Sequence, residues 1–232
     1  MGGKDSIVVD SETDLDTAVE GVTLSAFGYQ GQKCSACSRA IVDAKVYDAF
    51  LEKLKARVEK IKVGPTTDPE NYMGPVINAS SKKSIQAYIE KGLKEGGRLL
   101  TGGGEAAGTG QYLQPTVIAD VASKATIAQE EIFGPVLAVI KAKNFDDAME
   151  IANNTEFGLT GAIYTKNRQK LERAAEEFFV GNLYLNRKCT GALVGAHPFG
   201  GFNMSGTDSK GGGQDYLLLF TQAKTVAEKV TT

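Results

Sequence analysis

Residues 6–42 read SIVVDSETDLDTAVEGVTLSAFGYQGQKCSACSRAIV, and their patterning decides the fold. Ser6-Ile7-Val8-Val9 is a short β-branched run, the composition of a strand. Asp14 is placed to cap a helix whose Leu15, Ala18, Val19, Val22 and Ala26 fall on one face. Residues 38–42 (SRAIV) form the next strand candidate. Strand, helix and strand within forty residues is the start of an α/β alternation.

Outward from there the alternation continues. Val46, Phe50, Leu54, Val58 and Ile61 line one side of an amphipathic helix that Gly64-Pro65 ends. A second helix is predicted over about 80–92, then a short strand at 98–100 and a turn at Gly102-Gly103-Gly104. Residues 114–118 and 136–140 read as strands, and Asn144 caps a helix through Ala152. A strand at 160–164, a helix over 167–178 and a strand at 181–185 follow. Strands spaced by helical stretches predict an α/β domain with a largely parallel sheet. From Lys188 to Gln214 the chain is rich in Gly, Ser, Asn and Thr, and a loop of that length is usually functional. Residues 225–230 are a candidate edge strand in search of a partner.

The 232 residues carry a formal net charge of −2, with 42% hydrophobic and 23% charged residues. That balance suits a soluble enzyme or domain and gives nothing to attract nucleic acid or an anionic membrane. No signal pattern opens the chain, and a cytoplasmic location is expected. Cys34, Cys37 and Cys189 are the three cysteines, too few and odd in number for a disulfide scaffold. With His197 as the single histidine, a zinc site has too few ligands, and no metal is expected.

Three stretches hold chemistry-bearing residues. Cys34, in GQKCSACSR (31–39), is either a nucleophile helped by Lys33 and Arg39, a small buried hydrophobe, or half of a redox pair with Cys37. In EEIFGPV (130–136), Glu130, Glu131 and Phe133 suit a ribose hydroxyl and a heterocycle, or else form a solvated acidic turn with the ring in the core. The segment 191–206 offers backbone N–H groups at Gly and Ala for a carboxylate, or is a surface loop. There His197 is a general base or a bystander.

Together these stretches resemble the aldehyde dehydrogenases. Gly2-Gly3-Lys4, GQKCSACSR, EEIFGPV and PFGG (198–201) with Ser205-Gly206 stand in that family's order, and the likeness covers the whole chain. GQKCSACSR with NRKCTGALVG (186–195) and PFGGFNMSGT (198–207) resembles the branch that oxidises glutamate γ-semialdehyde. The resemblance implies that Cys34 attacks the aldehyde. It implies that Glu131 and Phe133 contact the nicotinamide ribose region of NAD. It implies further that Ser35 and the N–H groups of Gly191 and Ala192 hold the substrate's α-carboxylate, with Phe199 against its aliphatic chain.

The same likeness implies a three-layer α/β catalytic domain with a mostly parallel open sheet, and it sets expectations about organisation. Residues 1–214 would be the catalytic domain, short at its N-terminal edge, and 215–232 an oligomerisation strand, giving a homo-oligomer. The glutamate that precedes the Gly-Gly-Lys motif in the family, its oxyanion asparagine and its dinucleotide-binding domain would lie outside these 232 residues. The polypeptide by itself is therefore expected to have negligible dehydrogenase activity. A folded, non-enzymatic assembly unit and an enzyme for another aldehyde are the alternatives.

Overall fold

The computed structural model describes residues 2–207 and 210–230. Its strands are β1 (Asp5–Val9), β2 (Cys37–Asp43), β3 (Arg98–Thr101), β4 (Thr116–Ala119), β5 (Val136–Ala142), β6 (Thr160–Tyr164) and β7 (Asn182–Leu185). Its helices are α1 (Leu15–Phe27), α2 (Tyr47–Val58), α3 (Ala79–Lys94), α4 (Thr126–Gln129), α5 (Phe145–Asn153) and α6 (Arg168–Glu177). One sheet runs in the order β3-β4-β5-β2-β1-β6-β7. Every neighbouring pair is parallel except the antiparallel edge pair β3 and β4.

The predicted three-layer arrangement is present, and the strand sequences explain it. Ile7, Val8 and Val9 are each fully buried, as a central parallel strand covered on both faces requires. Alternate residues serve opposite layers. Ile7, Val9, Ala40, Val42 and Val139 pack under α1 and α2 with Val22, Phe50 and Leu54. Val8, Ile41, Ala138, Ile140 and Ile163 pack against α3, α5 and α6 with Ile85, Phe145 and Leu171. Burying each of these larger aliphatic side chains stabilises the fold by roughly 1.5–3 kcal/mol before entropy is counted.

The caps follow the sequence. Asp14, Asn78, Asn144 and Asn167 each accept a backbone N–H at the start of their helices. The glycine run at 102–104 is a turn, with Gly102 and Gly103 at φ of +78° and +90°, where an L side chain is strained. The short helix α4 has too few residues to show a periodicity, so the sequence gives no sign of it.

Tyr216–Phe220 forms a single 3₁₀ turn. Residues 221–230 are exposed and belong to no strand of this chain, so the expected edge strand pairs with nothing among the described residues. None of the described helices is long and apolar enough to cross a membrane.

Candidate active site

Ligands in open α/β sheets usually sit beyond the carboxyl ends of the strands. Here the singled-out stretches gather at the amino ends. Gly2-Gly3-Lys4 runs into β1, the Cys34 turn into β2, and Glu130–Pro135 into β5. Pairing of Asp5 with Cys37, and of Arg39 with Ala138, brings those three entries side by side.

Gly3 is the centre of the cluster. Its N–H donates to Glu131 Oε1 at 3.1 Å, across 128 residues of sequence. A Cβ placed on Gly3 would overlap the carbonyl oxygen of Cys34, and one on Gly2 would lie 2.7 Å from Glu131 Oε2. A Cβ on Gly31 would overlap the carbonyl of Gly134. Three glycines thus let three backbones and one carboxylate approach more closely than side chains would allow.

Cys34 sits in a turn closed by the Ala36 N–H donating to the Lys33 carbonyl at 3.0 Å. The turn is reached through three successive left-handed residues, Tyr29, Gln30 and Gly31, at φ of 58°, 58° and 65°. Cys34 is half-buried, whereas Cys37 and Cys189 are 1% and 0% exposed. The bland reading of a packed thiol therefore applies to the latter two.

The expectation that Lys33 and Arg39 activate Cys34 is corrected. Lys33 is exposed. The buried Arg39 guanidinium is used up on the carbonyls of Lys4, Ile151 and Ala152, at 3.2, 3.2 and 2.9 Å. Burial above all, then the carboxyls of Asp5 and Glu131, push the Cys34 thiol above its usual range, while the backbone N–H groups of Cys34 and Ser35 act the other way. The resting sulfur is accordingly a thiol at neutral pH, and the fraction ionised grows with pH.

This gives a prediction. Carbamidomethylation by iodoacetamide, mapped by peptide mass, is expected to mark Cys34 and leave Cys37 and Cys189 unmodified in the folded protein. The rate is expected to climb as pH is raised from 7 through 9. Equal labelling of the three cysteines, or a rate flat above pH 8, would contradict the geometry.

Beneath Cys34 lie two buried ionisable groups that the sequence reading passed over. Lys4 is pushed down to about 7, first by burial and then by Arg39. Asp5 is pushed up to about 7, first by burial. Asp5 Oδ1 accepts the Thr160 N–H at 2.6 Å, and Oδ2 has no hydrogen-bond partner among the described residues. Lysine and aspartate at the very entry to a strand that must be wholly buried are the sequence signal that could have marked them.

Glu131 and Glu130 part company. Glu130 turns outward and accepts from the Tyr88 hydroxyl at 2.8 Å. Glu131 is half-buried, and its Oε2 makes no hydrogen bond among the described residues. Phe133 is not in the core. Its ring is 47% exposed, and its backbone has φ of +55°, a left-handed state costing roughly 1–3 kcal/mol for a non-glycine residue. With Gly31, Lys33 and Glu131 it lines a small cleft. A carboxylate oxygen left over beside an exposed aromatic ring suits a ribose diol and a flat heterocycle.

The glycine-rich segment divides in two. Gly191, at φ of +105°, and Ala192 lie just beyond Cys189, whose sulfur donates to the Ser35 carbonyl at 3.5 Å. That half reaches the Cys34 turn. Phe199 is half-buried and forms an antiparallel bridge with Gly211. Ser205 donates to the Gly2 carbonyl at 2.7 Å and accepts the Gly158 N–H at 3.0 Å, so the PFGG…SG stretch is in part a packing knot behind the site. His197 is a bystander, its Nδ1 accepting the Leu193 N–H at 3.2 Å within its own loop.

The pattern described as the aldehyde dehydrogenase family matches residues 1–226. The chain belongs to the aldehyde dehydrogenase family. Among individual relatives, it is 60% identical over 228 residues to 1-pyrroline-5-carboxylate dehydrogenase 1 of Halalkalibacterium halodurans, covering 98% of this chain and 44% of that protein. The Bacillus subtilis 1-pyrroline-5-carboxylate dehydrogenase is 58% identical with the same coverage.

Solved aldehyde dehydrogenase structures agree in fold. The 1-pyrroline-5-carboxylate dehydrogenase from Thermus with bound NAD superposes with a TM-score of 0.96 at 52% identity, over 99% of this chain and 44% of that one. A betaine aldehyde dehydrogenase from Staphylococcus aureus, in complex with NAD+ and carrying a BME-modified cysteine, gives 0.90 at 31% identity, over 95% and 45%. The chain thus spans less than half the length of these aldehyde dehydrogenases.

Proposed function

We propose that these residues form the catalytic domain of an NAD-dependent 1-pyrroline-5-carboxylate dehydrogenase, which oxidises L-glutamate γ-semialdehyde to L-glutamate. The observation that carries the reading is the convergence on Gly2–Gly3 of the Cys34 turn and Glu131, with the Gly191 loop anchored at Ser35. The relatives' names supply the substrate and the cofactor.

In this reading Cys34, as thiolate, adds to the aldehyde carbon to give a thiohemiacetal. When bound, NAD supplies the hydride acceptor. Glu131 and Phe133 hold its ribose and nicotinamide region. Loss of hydride leaves a thioester on Cys34, and water cleaves it to the acid. The Ser35 hydroxyl and the N–H groups of Gly191 and Ala192 bind the α-carboxylate at the far end of the substrate. Phe199 packs on its methylenes. Fixing both ends of a short aldehyde holds its carbon at the sulfur.

Residues 1–214 are the catalytic domain in this proposal. The exposed segment 215–230, with Leu217, Leu218, Phe220 and Val226 open to solvent, is an assembly element of a homo-oligomer.

The test is NADH formation by the full-length protein with glutamate semialdehyde. Glu131→Gln is expected to raise KM for NAD roughly tenfold, since a hydrogen bond to a charged group contributes about 1.5–3 kcal/mol. KM for the aldehyde should move little. Failure to reduce NAD with this substrate, while another aldehyde is oxidised, would overturn the assignment.

A further inference from the structure

After β7 the chain is exposed at Leu185–Lys188 and again at Gly191, and between these stretches Cys189 and Thr190 alone are buried. Cys189 is held by two hydrogen bonds. Its N–H donates to Ser25 Oγ at 3.2 Å, on the last turn of α1. Its Sγ donates to the Ser35 carbonyl at 3.5 Å. The Ser35 carbonyl also accepts from Thr160 Oγ1 at 3.4 Å. One carbonyl, a residue from the nucleophile, therefore receives both β6 and the loop.

We propose that Cys189 is a positioning residue that sets the separation between Cys34 and the N–H groups of Gly191 and Ala192. Through that separation it tunes the enzyme to an aldehyde of fixed length with a carboxylate at its far end. The inference rests on the substrate reading above and adds the residue that enforces it. Two residue steps separate Cys189 from Gly191, a span of at most about 7–8 Å. Gly191 itself has φ of +105°, so the direction in which the loop leaves is set where the buried anchor ends. Removing the sulfur deletes the link from loop to nucleophile turn without touching either set of substrate contacts.

The experiment compares Cys189→Ala, Cys189→Ser and the unaltered full-length enzyme. Substrates are glutamate semialdehyde and an unsubstituted aliphatic aldehyde of the same chain length. Cys189→Ala is expected to raise KM for the carboxylate-bearing substrate roughly tenfold, as small misplacements of binding groups do. Its kcat for that substrate should stay within about threefold, and KM for the unsubstituted aldehyde should hardly move. Cys189→Ser should restore most of the difference, because a hydroxyl can still donate to the Ser35 carbonyl. If Cys189→Ala does not fold, Cys189→Val, which fills the space and donates nothing, must show the same rise.

An alanine or valine variant with unchanged KM for both aldehydes overturns the proposal. So does a serine variant no better than alanine. If the unaltered enzyme itself fails to prefer the carboxylate-bearing aldehyde, the substrate reading falls instead.

Discussion

Cys34→Ser is expected to lower kcat with glutamate semialdehyde by at least about 10⁴-fold, a loss on the scale seen when a nucleophile is removed from an enzyme that works through it. Serine is close in size, so the turn closed by Lys33 and Ala36 should persist and the fold should be unaffected. What changes is the attacking atom. Hydroxyl oxygen is almost wholly protonated at neutral pH, and His197, the single histidine of these 232 residues, is engaged by Leu193 within its own loop. The measurement is kcat at saturating aldehyde, with thermal melting as a control. A Cys34→Ser enzyme with more than about one per cent of the original kcat would move the nucleophile elsewhere. Cys37 and Cys189, both closed off from solvent, would be poor replacements.

The second large effect is expected at Gly3→Ala. The added methyl would overlap the Cys34 carbonyl and lie 2.5 Å from Asp5 Oδ2. The first is backbone, and the second belongs to a buried carboxylate whose other oxygen is held by the Thr160 N–H. Gly3 begins the entry to β1, the Cys34 carbonyl belongs to the turn feeding β2, and both strands are central in the sheet. Relief has to come from moving the nucleophile turn or from breaking the 3.1 Å bond between the Gly3 N–H and Glu131. Overpacking of this kind typically costs about 1–3 kcal/mol of stability. A displacement of the sulfur by about 1 Å can cost roughly 10²-fold in rate. The expected result is a folded protein with a lowered melting temperature and kcat reduced roughly a hundredfold. An alanine variant with unaltered kcat would show that the Cys34 turn does not depend on this close approach.

The two substitutions separate what was legible in the sequence from what was not. Cys34, Glu131 and Phe133 stand out as residue types in unusual company, and the family likeness assigns them roles. Their surroundings are not local. The neighbours expected to act on the thiol were Lys33 and Arg39, one and five positions away. The groups that do act on it are Asp5 and Glu131, brought in by the pairing of β1 with β2 and of β2 with β5. Phe133 shows the same limit. An aromatic residue before Gly-Pro reads as core filling, yet the ring is half exposed on a left-handed backbone. Strain of that kind is stored only where surrounding packing over-determines the chain.

For the segment 188–214 the sequence left two readings open. Its glycine content fits the turn at Gly191, but Gly201 and Gly206 pack against each other and against the Gly158–Leu159 backbone. Close backbone packing and ligand approach both demand glycine, and composition does not distinguish them.

The sequence by itself determined the layers. Side chains alternate across a strand every two residues and recur on a helix face every 3.6, so burial is written locally in Ser6–Val9, in Val136–Ala142 and on the faces of α1 and α2. Only the tertiary structure decided that the chemistry-bearing stretches meet at the amino ends of the strands, that Asp5 and Glu131 come to act on the Cys34 thiol, and that Cys189 ties the Gly191 loop to Ser35. Those facts depend on strand order and register, which at β1 pair residues from 32 to 155 positions apart, and no local pattern records them.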